Sequence, residues 1–191
     1  MILWDVLDEQ EIEPRGVVHV GAHRGGEVAD YYLAGLTPIV LVEPLPELAE
    51  HCRRQWPQAT VIEAAAGCEP GTALLYVPKA GTQWASIYRP RKPVQGTLTV
   101  PMVALADVVG PEVNILVADV QGAELDVVDG ADLGHLDLVV LETSDRPRYE
   151  NAPLHGDVVD HMRDLGWRPA RVEPHPRVEG VFDAAFVPEA A

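Results

Sequence analysis

The stretch VVHVGAHRGG, positions 17–26, constrains the fold more than any other part of the chain. Its first four residues form an apolar run that is typical of a short buried strand. Gly21 and the pair Gly25–Gly26 then predict a tight turn, and residues 27–36 continue with helical spacing. A strand, a glycine turn and a helix in this order predict the opening unit of a parallel α/β sheet.

The glycines allow two interpretations of this turn. A side chain at Gly21 or Gly25 would keep a ligand away from the backbone, and a helix start presents unpaired N–H groups, so a nucleotide-like ligand could lie here. The spacing G-x-x-x-G-G differs from the G-x-G-x-x-G of dinucleotide-binding folds, and a turn that only reverses the chain fits this stretch equally well. The residues downstream must decide between the two interpretations.

Further strands follow along the chain, and acidic residues stand at their ends. Apolar runs predict strands at 39–42, 60–63, 113–120 and 136–141. Ligands of open parallel sheets bind outside the carboxyl ends of the strands. The residues expected to converge at that edge are Gly21, Glu43, Glu63, Asp119 and Glu142.

Glu43 is the acid with the clearest predicted role. It follows Gly21 at close to the ~20-residue interval at which nucleotide-binding βαβ units place a carboxylate against the ribose hydroxyls. The alternative is a solvated acid at the end of a strand. Small residues after the third strand leave space for a flat ring, so Glu63 and Ala64 are candidates for the adenine side, with close packing as the simpler interpretation.

The whole chain, residues 1–191, is interpreted as one domain of the doubly wound α/β class with a mostly parallel sheet. Its start, residues 1–14, has the pattern of a short amphipathic helix. A helix at 154–165 is followed by strands at 167–172 and 180–187. These last two strands are expected to pair in antiparallel fashion at one side of the sheet.

An insertion at residues 72–105 follows the third strand and carries the sharpest charge feature of the chain. It is predicted to hold two strands, 72–77 and 98–103, joined by the loop 79–96. The basic residues of that loop are Lys79, Arg89, Arg91 and Lys92, and it has no acid. The loop could bind an anionic part of a substrate through Arg89, with Trp84 or Tyr88 covering a ring, or it could be a solvated loop paired with the acidic body.

Composition narrows the possible partners. Thirty acidic residues against 14 basic ones give a net charge of −16, which repels nucleic acid and anionic membranes, so a small molecule is the expected partner. The start is acidic rather than basic and no apolar run reaches membrane-spanning length, which favours a cytoplasmic location. Cys52 and Cys68 lack metal-ligand spacing and are interpreted as reduced thiols.

A metal site is not favoured. A divalent cation could be held by Asp119, Glu142 and Asp145, because oxygen ligands suit magnesium, but these acids show no tight ligand spacing. The triplet His19, His23 and Glu27 is evenly spaced, yet it crosses a strand, a turn and a helix start, so its members would not share one face.

These segments together resemble the S-adenosylmethionine-dependent methyltransferases of the FkbM type. The similarity extends from about residue 17 to residue 187 and keeps the family's order of segments. Its most specific part is DVQGAEL, residues 119–125, which looks like the family's D-V-[EQ]-G-A-E-L signature. Other similar segments are VVHVGAHRGGE, VLVEPLPE, VIEAAAGCEPGTALLYVP, ASIY, VPMVALADVV, LVVLET, LGW and DAAFVP.

The resemblance implies a Rossmann-like class I methyltransferase fold, with seven strands of which the last runs antiparallel. It also implies methyl transfer from S-adenosylmethionine, usually to a hydroxyl of a sugar or secondary metabolite. Carried over by position, the expected cofactor contacts are Gly21, Ala22, His23, Gly25, Glu43, Pro44, Glu63, Ala64 and Asp119. Ser86, the loop serine of the ASIY segment, joins Trp84 and Arg89 as an expected acceptor contact.

Methyl transfer to a hydroxyl requires a group that takes the hydroxyl proton. Asp119 and Glu142 are the first candidates for that base or for binding the acceptor, and they are followed by His23 and His155. The predicted enzyme is therefore an O-methyltransferase that acts on a small molecule.

Two positions depart from the family pattern and keep other functions open. His19 stands where an acid is usual, and Val117 stands where a lysine is frequent, so a nucleotide-binding domain without catalysis is one alternative. A nicotinamide-dependent oxidoreductase is a second. It is disfavoured by the missing second glycine of G-x-G and by a chain too short for a substrate domain.

Overall fold

The computed structural model describes residues 2–189. Its strands, in chain order, are β1 Val17–Val20, β2 Ile39–Val42, β3 Thr60–Ile62, β4 Ala65–Ala66, β5 Gly71–Pro78, β6 Val94–Val103, β7 Ile115–Ala118, β8 Leu138–Ser144, β9 Trp167–Pro174 and β10 Val181–Pro188. Its α-helices are α1 Ile2–Glu9, α2 Val28–Leu33, α3 Pro46–Gln55, α4 Leu105–Val108, α5 Glu124–Asp129 and α6 His155–Asp164.

Seven strands form the main sheet in the order β3-β2-β1-β7-β8-β10-β9. All are parallel except β10, which runs antiparallel to both of its neighbours. Strands that are covered on both faces have continuous apolar sequences, and β1, β2 and β7 are buried along their whole length. The predicted doubly wound sheet with an antiparallel last strand is confirmed.

Successive residues of β1 face the two opposite layers of the fold. Val18 and Val20 belong to the apolar cluster that contains side chains of α5 and α6. Val17 belongs to the cluster on the other face, which contains side chains of α1, α2 and α3. Because side chains alternate along a strand, His19 lies on the same face as Val17 and meets Tyr31 of α2.

The insertion forms a second, smaller sheet. Strands β5 and β6 are antiparallel, and the short β4 extends the pair to three strands in the order β4-β6-β5. The predicted strand pair is confirmed, while β4 was not predicted. The loop between β5 and β6 folds back on the ribbon, because Tyr76 and Ser86 exchange two backbone hydrogen bonds of 2.8 and 3.1 Å.

Several elements differ from their predicted bounds by a few residues, and two of these differences, in α2 and β8, are explained by backbone contacts. Helix α2 ends at Leu33 instead of residue 36, since Gly35 takes a positive φ of 78° and the Leu36 N–H donates to the Tyr31 carbonyl. Strand β8 continues to Ser144, because its ladder with β10 extends to the pair Ser144 and Val181. Glu142 therefore lies within a strand and not at its end.

The amphipathic helix predicted at the start of the chain is present as α1, which ends at Glu9. Its apolar side chains pack against the main sheet together with those of α2. Within residues 2–189, no helix combines the length and apolar character needed to cross a bilayer.

The core predicts a clear mutational contrast near the end of α6. Replacing Met162, which is 0% exposed, by alanine should lower the free energy of unfolding by about 2–5 kcal/mol, because a buried cavity is left behind. Leu165, just after the helix, is 43% exposed, and its replacement by alanine is the matched control. Urea denaturation measures both, and equal losses would contradict the packing described.

Candidate functional site

A cavity of about 290 Å³ lies at the carboxyl ends of β1, β2 and β7. Gly21 follows β1, Glu43 follows β2 and Asp119 follows β7, and all three line the cavity. Ala64 lines it beyond β3, and Ser86 lines it from the insertion. The predicted convergence of strand ends therefore holds for three of the five residues named for it, while Glu63 and Glu142 lie outside the lining.

The turn after β1 is shaped by close backbone contacts. Gly21 has a φ of 78°, and a Cβ atom there would overlap the carbonyl oxygen of Asp119. The N–H groups of Gly21 and Ala22 both donate to the Val42 carbonyl, at 2.9 and 3.3 Å. The turn is therefore held against the ends of both neighbouring strands.

Gly25, a predicted cofactor contact, does not line the cavity, whereas Gly26 does. Its φ is 66°, and a Cβ atom there would stand 2.7 Å from the indole nitrogen of Trp56. Packing inside the fold explains this glycine, and approach of a ligand is not needed to explain it.

Glu43 is the best-anchored side chain of the cavity. It is 4% exposed, and its carboxylate accepts hydrogen bonds from the backbone N–H groups of His23, at 2.8 Å, and Leu45, at 2.9 Å. Burial raises the pKa of Glu43 to about 7 in spite of these two bonds. An ionised carboxylate has about four acceptor positions, so two remain for the hydroxyls of a ligand.

Small residues form another part of the cavity wall. Ala64, Ala65 and Ala66 line the cavity, and Pro44 joins them from the β2 side. Glu63, predicted beside Ala64, is absent from the lining, and its carboxylate forms an ion pair of 2.9 Å with Arg53 of α3.

A buried network of carboxyl and amide groups borders the cavity on the side of β7. The Gln121 amide Nε2 donates to Asp119 Oδ1 at 2.6 Å and to Glu142 Oε1 at 2.7 Å. The Tyr149 hydroxyl donates to the side-chain amide oxygen Oε1 of Gln121 at 2.9 Å. Asp119 lines the main cavity, whereas Glu142 lines a smaller adjoining one, so Glu142 reaches the main cavity only through Gln121 and Asp119.

Burial and mutual repulsion set the protonation of these acids. Burial raises the pKa of Asp119 well above its ordinary value, and the nearby Glu142 adds to the effect. The pKa of Glu142 is raised to about 7, again mainly by burial. Glu124, whose carboxylate accepts from the Gly122 N–H at 3.0 Å, is also raised to about 7. The site therefore contains acids that titrate near neutral pH.

His155 and two of the predicted acceptor contacts lie outside both cavities. His155 Nδ1 is 2.9 Å from the Thr143 hydroxyl, and its ring packs on Phe182. The Trp84 ring is covered by the Lys92 ammonium group at 5.5 Å, and Arg89 is exposed. The sequence suggested roles for these three residues from their positions in a helix and a loop. In the structure, none of them lines either cavity.

The insertion borders the cavity through polar residues of which the sequence predicted Ser86 but missed two. Ser86, which was predicted, donates to the Gln121 carbonyl at 2.8 Å. Thr82 and Gln83, which were not predicted, also line the cavity, and the Thr82 hydroxyl is 3.0 Å from His23 Nε2. Gln121 was named only as part of the signature segment. Its amide group was the one feature of the sequence that could have indicated a link between Asp119 and Glu142.

Within residues 2–189, no group of three or more His, Cys, Asp or Glu side chains is arranged to hold a metal ion. The Gln121 amide donates to both Asp119 and Glu142, which occupies one oxygen of each. Asp145 pairs with Arg146 at 3.8 Å. The three acids considered for a divalent cation are therefore engaged with hydrogen-bond donors or with a cation.

The strand order and the cleft at its carboxyl edge define the class I methyltransferase fold. More narrowly, the chain belongs to the FkbM methyltransferase family. The sequence profile of the Methyltransferase FkbM domain matches residues 19–169, which include the turn after β1, the insertion and the DVQGAEL segment. The resemblance inferred from the sequence is thereby confirmed. No curated protein is significantly similar to the chain in sequence.

Solved methyltransferases share the fold at low sequence identity. Methyltransferase FkbM from Methylobacillus flagellatus KT superposes with a TM-score of 0.64 at 13% identity, covering 92% of this chain and 44% of that one. Magnesium protoporphyrin IX methyltransferase from Synechocystis PCC 6803, with bound SAM, gives 0.58 at 10% identity, covering 98% and 76%. The ribosomal protein L11 methylase of Lactobacillus delbrueckii subsp. bulgaricus gives 0.58 at 13%, covering 98% and 77%. The chain thus spans less than half the length of the Methylobacillus protein.

The raised pKa of Glu124 predicts how stability depends on pH. A folded-state pKa of about 7, above the ordinary 4.5, means that this group stabilises the fold fully below about pH 4.5, and that the stabilisation is lost as the pH rises through 7. Its share of the loss between pH 5 and pH 8 should be about 2 kcal/mol.

Chemical denaturation of the wild type and Glu124→Gln at pH 5 and pH 8 measures this effect. Glutamine keeps an acceptor for the Gly122 N–H but cannot ionise, so the variant should lose less free energy of unfolding over this range. An equal loss in both proteins would show that Glu124 does not titrate between these pH values.

Proposed function

We propose that the chain binds S-adenosylmethionine in the main cavity and transfers its methyl group to a hydroxyl of a small molecule such as a sugar or secondary metabolite. The observation that carries the proposal is the position of Glu43. A buried, doubly hydrogen-bonded carboxylate stands beside a glycine turn at the ends of adjacent parallel strands. This is the arrangement that binds the ribose of adenosyl ligands.

The residues present fit such a ligand. Glu43 keeps free acceptor positions for two ribose hydroxyls, and the alanines at 64–66 leave space for a flat ring. Gly21 has no side chain to fill the cavity and could not carry one. When bound, the cofactor would supply an activated methyl group on a sulfonium.

The chain's own residues would position the acceptor and take its proton. In-line displacement at carbon depends mainly on holding the reacting atoms nearly collinear, which a cavity closed by the insertion favours. Asp119 lines the cavity, and burial raises its pKa, so its ionised carboxylate would be a stronger base for the hydroxyl proton than a solvent-exposed one. Gln121 fixes its orientation, and Glu142 lies on the far side of Gln121.

The acceptor is proposed from charge. The protein carries −16 overall, so nucleic acid and anionic membranes are disfavoured as partners, and a soluble metabolite of the cytoplasm is preferred. Lys79, Arg91 and Lys92 of the insertion are exposed and offer positive charge to an acceptor with an anionic group. The two relatives above whose names state an acceptor act on a porphyrin and on a ribosomal protein, so the fold itself does not select one.

A second candidate is a domain that binds the cofactor without turnover. Two buried residues favour it. Burial lowers the pKa of His19, which disfavours its charged form, and Val117, its partner on β7, has an apolar side chain. A methyl-transfer assay distinguishes the two candidates.

Glu43→Ala should weaken binding of S-adenosylmethionine by about 1–3 kcal/mol, because hydrogen bonds to the ribose are lost. Isothermal titration calorimetry measures the change, with NAD as a ligand that should not bind. Glu63→Ala is the matched control, since Glu63 is also an acid after a strand but lies outside the cavity, and its affinity should not change. Equal effects of the two variants would remove Glu43 from the site.

Asp119→Asn should lower turnover by at least about 100-fold at saturating cofactor, because asparagine can still accept from Gln121 but cannot take a proton. Transfer of labelled methyl groups to a panel of sugars and hydroxylated metabolites is the assay. Cofactor binding without transfer to any acceptor would favour the non-catalytic candidate.

A further inference from the structure

His19 is a buried residue of the cavity wall whose hydrogen bonding is half complete. The residue is 5% exposed and lines the cavity beneath Gly21. Its Nδ1 atom is 3.0 Å from the hydroxyl oxygen of Tyr31, and the two rings pack edge to face with centroids 6.0 Å apart. One side of the imidazole ring is therefore fixed by α2.

The hydrogen bond to Tyr31 assigns the tautomer of His19. Tyr31 is fully buried, and within residues 2–189 its hydroxyl has no hydrogen-bond partner other than Nδ1. A buried hydroxyl that does not donate loses free energy, so Tyr31 donates and Nδ1 accepts. A neutral imidazole then carries its proton on Nε2.

Nε2 is left as a donor without a partner. No side chain or carbonyl of the described residues accepts from it, and it is not among the unpaired polar atoms that are fully enclosed, namely Tyr32 Oη, Trp56 Nε1 and His135 Nε2. Because His19 lines the cavity, a molecule in the cavity is what this N–H group can meet.

The sheet order indicates which part of a ligand would lie there. Strand β1 stands between β2 and β7, so a ligand with its ribose at Glu43 that extends toward Asp119 passes over the end of β1. In S-adenosylmethionine the ribose carries adenine on one side and the amino acid part on the other, joined through the sulfonium. With adenine near the alanines, the amino acid part is the one that extends toward Asp119. Its carboxylate and ammonium groups would then lie between a donor, His19, and an acceptor, Asp119.

Most of the charged side chains that line the cavity are acids, so a donor is needed if it is to bind a ligand carboxylate. Glu27 before α2, Glu43 and Asp119 also line the cavity, and when ionised these acids would repel a ligand carboxylate. Among the described residues, Arg24 is the one lysine or arginine that lines the cavity, and it is exposed at the rim. His19 is the buried side chain of β1 that offers a free N–H group to this cavity.

We propose that His19 is a specificity-determining residue, held by Tyr31, whose Nε2–H donates to the carboxylate of the cofactor's amino acid part. The proposal rests on cofactor binding as proposed above. It predicts that the protein distinguishes S-adenosylmethionine from a ligand that lacks only this carboxylate.

Calorimetric titration with S-adenosylmethionine and with its decarboxylated analogue tests the proposal. The wild type should bind the carboxylated ligand at least about tenfold more tightly, as expected for a hydrogen bond to a charged group. His19→Phe keeps a ring of similar size but no donor and should reduce the preference to within about twofold. Arg24→Ala, at the rim, is the control and should keep most of it.

A second pair of variants covers the case in which His19→Phe does not fold. Tyr31→Phe removes the hydroxyl that fixes the tautomer and should lower the preference at least about threefold. Tyr32→Phe, the neighbouring residue of α2, removes a hydroxyl that has no partner and should leave the preference unchanged.

Proton exchange gives a readout that a purely structural role of His19 would not change. A bound carboxylate favours the charged imidazole, so the wild type near pH 6.5 should take up more protons with S-adenosylmethionine than with the decarboxylated analogue. Calorimetry in buffers of different ionisation enthalpy measures this difference, and it should vanish in His19→Phe.

The outcomes separate the two proposals. If the wild type binds neither ligand, the proposed cofactor site itself is wrong. If it binds both equally, or if Arg24→Ala and not His19→Phe removes the preference, the role of His19 is overturned while the cofactor site stands. An equal proton uptake with both ligands also overturns it.

Discussion

A buried carboxylate with two backbone donors holds the site in shape. Glu43 receives the His23 N–H from the turn after β1 and the Leu45 N–H from its own segment, so it joins the ends of two parallel strands. An ionised carboxylate inside a protein is costly unless such donors surround it. The same geometry that compensates for its burial leaves acceptor positions of the carboxylate free on the cavity side.

The insertion completes what the main sheet begins. Its loop reaches the cavity through Ser86, which donates to the Gln121 carbonyl, and through Thr82, which meets His23. Tyr149, in the segment after β8, adds contacts with both Gln121 and the Trp84 carbonyl. A cavity that is open at the sheet edge thereby becomes enclosed by segments that are far apart in the sequence.

Local patterns predicted the fold well because they depend on neighbours in the sequence. Apolar runs identified the buried strands, and the spacing of Gly21 and Glu43 predicted that both lie at one edge of the sheet, where they line the same cavity. Side-chain direction was less predictable, since it depends on partners elsewhere in the chain. Glu63, for example, forms an ion pair with Arg53 and does not line the cavity. The longer β8 changes the setting of Glu142, and no local pattern reveals the amide that links it to Asp119.

The insertion also has an apolar core of its own, formed by Ala65, Leu75 and Val100. Its ribbon can therefore change in length and sequence while the apolar layers on either side of the main sheet are preserved. Divergence in acceptor choice within this architecture would then concentrate in the ribbon, and exchange of ribbons between relatives is a natural route to enzymes with new substrates. Gly21 tolerates no such variation, because the carbonyl of Asp119 occupies the space that any larger residue would need.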